Sequence, residues 1–397
     1  MLKKLSSKEG FQRAMGSIVA IIAGLLIGFV IITISNPSKA LGGIGAMLFG
    51  ALSDMKKVGQ VFYFATPLIM TGLSVGFANK TGLFNIGGPG QFILGAFTAI
   101  WFTINFQFPG SWLVGIILAM IVGGLWGVVP GALKAYCNVN EVITCIMMNY
   151  TGMYLVNFLI KNTSIYDKLR NQTAAVPKTG VMPKLGLDKL FSTGHSSSSV
   201  NMGILIAIAF GILVYIILSK TKFGFELKAC GYNKDAAKYA GMNENKSIVY
   251  SMAIAGALCG VGGALHYLAG AGKCIEVIDV LAVEGFDGIA VSLLGLNNPI
   301  GIIFAGIFVA YLKVGGSTMQ LHGFVPEIIE IITAVIIYFS AFALLIRTVI
   351  AKFAKSDEGN ANKDDEVELE AKSAMAKDEQ KALEEEPNEL STEGGEE

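Results

Sequence analysis

Charge is what this sequence has least of. Asp, Glu, Lys and Arg make up 15% of its 397 residues against 53% hydrophobic ones, and the mean hydropathy is +0.59. Uncharged apolar runs as long as a bilayer is thick recur along it, which excludes a soluble globular chain and points to a polytopic membrane protein. Cysteine is scarce too. Cys137, Cys145, Cys230, Cys259 and Cys274 form no CxxC pair, so neither a disulfide framework nor a zinc site is encoded, and small buried hydrophobes is the expected role. The three histidines, His195, His266 and His322, are far apart and make no HExxH pattern.

Nucleotide and catalytic signatures are missing as well. Gly272-Lys273-Cys274 has Cys274 where a phosphate loop needs Ser or Thr, and Tyr267 where it needs its first glycine. Gly72-Leu73-Ser74-Val75-Gly76 matches the G-x-S-x-G pattern, but it lies in an apolar helical run without a preceding strand or a nearby acid or histidine. A membrane-embedded enzyme would need an activated nucleophile or a metal cluster, and none is legible. Any ATP-driven step must therefore use another chain.

What is present is a ladder of apolar runs at 17–34, 61–78, 92–106, 112–129, 142–160, 202–218, 248–268, 300–312 and 331–346. A weaker tenth covers 281–296, interrupted by Glu284 and Asp287. The expected fold is all-α, a polytopic helical membrane protein of about ten spans, with Pro67 kinking or breaking the second. The first run is longer than a typical signal-peptide core, so it reads as an uncleaved helix.

Ten crossings put both termini on one side, and the positive-inside rule makes that side cytoplasmic. The N-terminal bases (Lys3, Lys4, Lys8, Arg13), the 220–246 island and the Arg347, Lys352, Lys355 cluster then share one face. The expected division is a cytoplasmic segment 1–16, a transmembrane domain 17–346 and a tail 347–397. The domain includes an extracytoplasmic loop 161–200 and a cytoplasmic loop 220–246. Six Lys/Arg in the outer loop, with Lys56 and Lys57, run against the charge rule. The zero net charge hides an asymmetry: residues 356–397 hold 16 acids and 4 lysines, leaving 14 acids and 26 bases before them. Such a tail should be solvated and disordered.

Several polar positions stand out against this background. In 81–91, TGLFNIGGPGQ, four glycines and Pro89 forbid a regular helix, and Asn85 and Gln91 could serve a substrate or only a tight turn. Asn140-Glu141 reads as a helix N-cap followed by an acid, and Glu141, Cys145 and Asn149 recur on one face. Glu284 and Asp287, three residues apart, should lie near an interface, pair, or face a cavity. Gly123/Gly127 and Gly256/Gly260 suit close helix contacts. In the island, Asp235-Ala-Ala-Lys-Tyr-Ala-Gly241 is a short helix with a glycine stop, and Phe223, Phe225, Tyr232 and Tyr239 suit an interface or the headgroup layer.

TGLFNIGGPGQFILGA, NVNEVITCIMMNY, FGFELKACGYNKDAAKYAGM and GFDGIAVSLLGLNNPIG, in this order and spacing, resemble permease subunits of ABC importers for simple sugars and nucleosides. This is the ribose and branched-chain amino acid permease-like family, in its nucleoside-type branch, and the likeness covers about residues 15–346. It implies a non-catalytic permease in a bacterial cell membrane, translocating a nucleoside or related simple sugar. It also implies an ABC ATPase holding ATP and Mg, a second permease, related or identical, and an extracytoplasmic substrate-binding lipoprotein. No cofactor is expected on this chain, and no nucleic acid.

The family's pore motifs fall on Asn85, Gln91, Glu141, Asn149 and Asp287. Its ATPase-coupling helix falls on 224–241, with Gly224, Glu226, Asp235, Ala236, Ala237, Tyr239 and Gly241. Gly88-Pro89 departs from the acidic or polar residue expected before Gly90-Gln91. A competing reading is a secondary transporter or channel acting alone, with Glu284 and Asp287 binding a proton or cation.

Overall fold

The computed structural model describes residues 9–192 and 198–341. His195, the bases Lys3, Lys4, Lys8, Arg347, Lys352 and Lys355, and the acidic tail lie outside them. Residues 17–341 belong to one compact unit.

Six helices start at a short polar side-chain cap. Asp54 accepts from the backbone N–H of Lys56 at the head of α3 (Met55–Lys80), and Asn140 from Val142 and Ile143 at the head of α6 (Glu141–Lys161). Thr221, Asn233, Asn243 and Asn298 do the same for α9 (Lys222–Tyr232), α10 (Lys234–Tyr239), α11 (Glu244–Tyr267) and α13 (Pro299–Met319). The remaining helices are α1 (Glu9–Ser35), α2 (Ala40–Phe49), α4 (Gly88–Asn105), α5 (Ser111–Cys137), α7 (Leu187–Leu190), α8 (Gly203–Lys220), α12 (Val283–Leu294) and α14 (Pro326–Ala341).

Among the described residues six helices are long and apolar enough to cross a bilayer: α3, α5, α6, α8, α11, and α13 with the turn that follows it. This is a multi-pass helical membrane protein. The apolar windows of α3 and α11 are 83% and 72% buried, those of α5 and α8 only 33%, so α3 and α11 are central and α5 and α8 peripheral. Glycine sets the spacing. A Cβ on Gly123 would stand 2.5 Å from the Gly256 carbonyl oxygen, and one on Gly260 would stand 3.0 Å from the Gly123 Cα. The four-residue glycine spacing thus brings α5 and α11 backbone to backbone.

One local expectation is corrected, the expected break at Pro67 is not found, and one further segment is helical. Residues 88–91 are helical: Gly88-Pro89-Gly90-Gln91 form the first turn of α4, where proline's missing N–H is no loss. α3 is assigned as one uninterrupted helix through Pro67, and Thr71 Oγ1 donates to the Pro67 carbonyl. Residues 40–52, charge-free but too short and glycine-rich to stand out as a run, form α2 and a 3-10 turn against α13, where Tyr311 donates its hydroxyl to the Leu48 carbonyl.

α12 is 12 residues long, about 18 Å of axial rise, roughly half of a 30 Å hydrocarbon layer. The non-helical segment before it is held by protein: Asn157 donates to the Ile278 carbonyl and to Asp279. Farther up, Ile275 and Val277 are tied to Thr173 and Asn171 of the 162–202 loop. In that loop β1 (Tyr166–Asp167) pairs antiparallel with β2 (Gln172–Thr173).

Candidate functional site

The 81–87 loop enters between α3, α6 and α11 and there turns into α4. At that turn Asn85, fully buried, donates to Gln91 Oε1 at 2.9 Å and accepts from Gln91 Nε2 at 3.2 Å, a closed pair of side-chain amides. Asn85 also donates to Ser74 Oγ and accepts from the Gly87 N–H, while Ser74 donates to the Ala255 carbonyl at 2.6 Å. Ser74, the centre of the G-x-S-x-G lookalike, thus spends its hydroxyl on joining α3 to α11. Asn149 clamps the same turn, accepting from the Gly90 N–H and donating to the Ile86 carbonyl, each at 3.0 Å. Among the described residues no buried side-chain N or O lacks a hydrogen-bond partner.

Asn85, Gln91 and Asn149 therefore converge, with Cys145 beside them at 3.9 Å from Asn85 Oδ1. Glu141 does not join them. It begins α6, two turns before Asn149, and pairs with Lys134 of α5 at 2.9 Å. Asp287 is elsewhere again, paired with Lys313 of α13 at 2.5 Å. That pair stands in the wall of a cavity of about 430 Å³ between α12, α13 and α14.

Glu284 faces a different cavity, about 240 Å³, with Asn157, Tyr267 and Glu276. The two acids thus line separate spaces, and among the described residues no cluster of three metal-ligating side chains occurs. Lys313 belongs to no sequence motif, because a lone lysine in an apolar run has no spacing signal. Gly88 and Gly285 bring the two sites into one frame: a Cβ on Gly88 would stand 2.7 Å from the Gly285 carbonyl oxygen, so the starts of α4 and α12 touch through backbone.

A third cavity, about 550 Å³, lies beside the 162–202 loop, with Tyr63, Lys178, Lys184 and Lys273 in its lining. Lys273 donates to the His266 carbonyl at 2.8 Å and lies over the Tyr63 ring at 4.9 Å. Burial pulls its pKa down to about 8, with Glu284 opposing that shift.

The 220–246 island folds as a helical hairpin, α9 and α10. Gly224 is buried where a Cβ would stand 2.7 Å from the Leu218 Cα, and Gly241 closes α10 at φ +79°, the left-handed stop that glycine supplies. Ala237 is buried and Glu226 is half-buried with Lys222 one turn away. Asp235, Ala236, Tyr232 and Tyr239 are exposed, the tyrosines at 89% and 94%. The hairpin is fastened to the end of α3 by glycines: a Cβ on Gly231 would stand 2.6 Å from the Thr81 carbonyl carbon. Of the cysteines, Cys145, Cys230 and Cys259 are buried, Cys274 is half-buried and Cys137 is exposed, which corrects a uniform reading of them as buried.

The chain is similar to known proteins. The chain is 36% identical to the guanosine ABC transporter permease protein NupP of Bacillus subtilis, over 89% of this chain and 99% of that one. It is 33% identical to the nucleoside ABC transporter permease protein NupB of Lactococcus lactis, over 89% and 98%. It is also 28% identical to a second permease of Bacillus subtilis, the guanosine ABC transporter permease protein NupQ, over 65% and 82%. Relatives of this chain thus occur as pairs of permeases for one kind of substrate. No solved structure matches. Residues 58–341 match the family described as branched-chain amino acid transport system / permease component, and the chain belongs to that family.

Proposed function

We propose that this permease carries a nucleoside inward across a bacterial cell membrane as one of two permease subunits of an ATP-driven importer. An extracytoplasmic binding protein delivers the substrate, and ATP and Mg are bound by a separate ATPase. The observation that carries the reading is the chain-long likeness to NupP and NupB, together with a polar hairpin that leaves two tyrosines almost wholly exposed. In this reading the chain crosses the bilayer about ten times, with α12 as a half-length crossing and both termini in the cytoplasm.

The hairpin is the contact for the ATPase, with Tyr239, Ala236 and Asp235 on its surface and Gly224, Ala237 and Gly241 shaping it. Gly82 at the foot of α3 and Gly231 in the hairpin are in backbone contact, so a push on the hairpin is delivered to the loop that carries Asn85. Asn85, Gln91 and Asn149 would then act by holding the α4 start in one of two arrangements. Asp287 faces the passage, and Glu141 with Lys134 braces the foot of α6.

The test is Tyr239→Glu and Ala236→Arg in the full complex, reading ATPase co-purification and uptake of labelled guanosine. Both should fall at least tenfold, while the permease itself accumulates normally. Wild-type values for both readouts would overturn the coupling assignment. Uptake competition between nucleosides and pentoses decides the substrate class, and a preference for pentoses would overturn the nucleoside reading.

A further inference from the structure

The Asp287–Lys313 pair stands where an isolated charge would be costly. α13 begins beside the foot of α3, where Asn79 donates to Asn297 at 3.1 Å, and Lys313 lies about 21 Å farther along its axis. The pair and its cavity thus sit in the half of the bundle away from the α9–α10 hairpin. Asp287 and Lys313 are partly exposed into that cavity, their side chains 20% and 36% accessible, so each keeps hydrogen-bonding capacity beyond the bond they share.

Ser317, Gln320 and Thr333 add hydroxyl and amide groups, and Glu330 of α14 adds a second carboxylate. One lysine against two carboxylates gives this lining a formal charge of −1. A wall of this composition facing hydrocarbon would be expensive. The volume, about 430 Å³, is within the roughly 300–1,000 Å³ of small-molecule pockets.

We propose that this cavity is the extracytoplasmic vestibule of the transport path and a charge filter, admitting neutral hydroxyl-bearing solutes and repelling anions. Lys313 balances Asp287, so that neither charge has to be stripped bare in the membrane, and Glu330 sets the negative sign. The paired ammonium and carboxylate offer a donor and an acceptor side by side, which matches adjacent hydroxyls of a sugar ring. Low-dielectric walls concentrate the field of the residual charge, so an anion meets a barrier that a neutral solute does not. The proposal rests on the importer reading for its direction, and the charge filter is testable apart from it.

The test uses the complete importer in cells, in a background with Cys137→Ser and Cys274→Ser. Ser317→Cys is added and labelled from outside with a cationic and an anionic methanethiosulfonate of similar size. The cationic reagent should react about tenfold faster or more. Glu330→Gln should bring the ratio several-fold closer to one, and Asp287→Asn with Glu330→Gln should invert it. A saturating external nucleoside should slow labelling several-fold.

Equal rates for both reagents in every variant would overturn the charge filter, and no labelling at all from outside would overturn the vestibule. Labelling indifferent to any solute would remove the cavity from the transport path. Protection by a pentose and not by a nucleoside would overturn the nucleoside reading and leave the filter supported. Thr333→Cys on α14 repeats the measurement, so that a fold defect of one variant does not decide it.

Discussion

Asn85 and Gln91 are joined amide to amide, each donating to and accepting from the other at 2.9 and 3.2 Å, in a place closed to solvent. Five residues of chain separate them, and between them the backbone changes from extended loop to helix. The pair therefore fixes the angle at which α4 leaves the 81–87 loop. Nothing else in the loop could: the residues between are Ile86, three glycines and Pro89.

Breaking the pair from one side should be costly. Asn85→Ala or Gln91→Ala strands a buried amide, which costs about 1–3 kcal/mol. Asn85→Leu with Gln91→Leu should cost less than the sum of its single changes, by about 1 kcal/mol, because neither amide is left without a partner. Denaturation of the purified permease in detergent reads both values, and strict additivity would contradict the pairing.

The helix spacing makes a sharper demand. Gly123→Ala would put a methyl against the Gly256 carbonyl, and only backbone movement could relieve it. Overpacking of this kind costs about 1–3 kcal/mol for one methyl. Gly256→Leu should abolish accumulation of the folded chain, while Gly45→Ala, with nothing within 4 Å, should be silent. Size-exclusion profiles of the fluorescently tagged permease compare the three.

The hairpin joint should separate transport from hydrolysis. Gly231→Ala presses a methyl into the Thr81 backbone without altering the exposed face around Tyr239. Uptake is expected to fall about tenfold while the ATPase still co-purifies and hydrolyses ATP. Loss of co-purification would show that Gly231 shapes the docking face instead of transmitting movement.

Lys273 gives a pH dependence with a defined sign. Its pKa is lowered from 10.5 to about 8, so the unfolded chain binds the proton more tightly than the folded one. Stability is therefore reduced below pH 8 and is regained as pH rises from about 8 to 10.5. Thermal melts across that window should show Lys273→Met losing this rise. An identical slope in both proteins would place the charge of Lys273 in water.

The legible part of the candidate site was whatever announces itself by type or spacing. Asn85, Gln91 and Asn149 stand out as polar residues in apolar or glycine-rich surroundings, and the structure puts all three around one turn. The Asn140 cap and the glycine pairs were equally readable, because capping and close approach are local or four-residue effects. Lys313 was not legible, since its meaning comes from Asp287, 26 residues away and on another helix. The same holds for Ser74, a chance motif by sequence and a buried link between α3 and α11 in space.

Composition alone determined that this chain lives in a bilayer, because a run of uncharged residues that long has no cheaper environment. Polar caps determined where six of the fourteen described helices begin, and glycines which faces approach. Tertiary structure decided the rest: that 88–91 becomes the first turn of a helix, that α12 is half-length, and that Glu284 and Asp287 face different cavities. Those outcomes depend on which backbones meet, above all Gly88 on Gly285 and Gly82 on Gly231, and contacts between distant segments leave no periodic trace in the sequence.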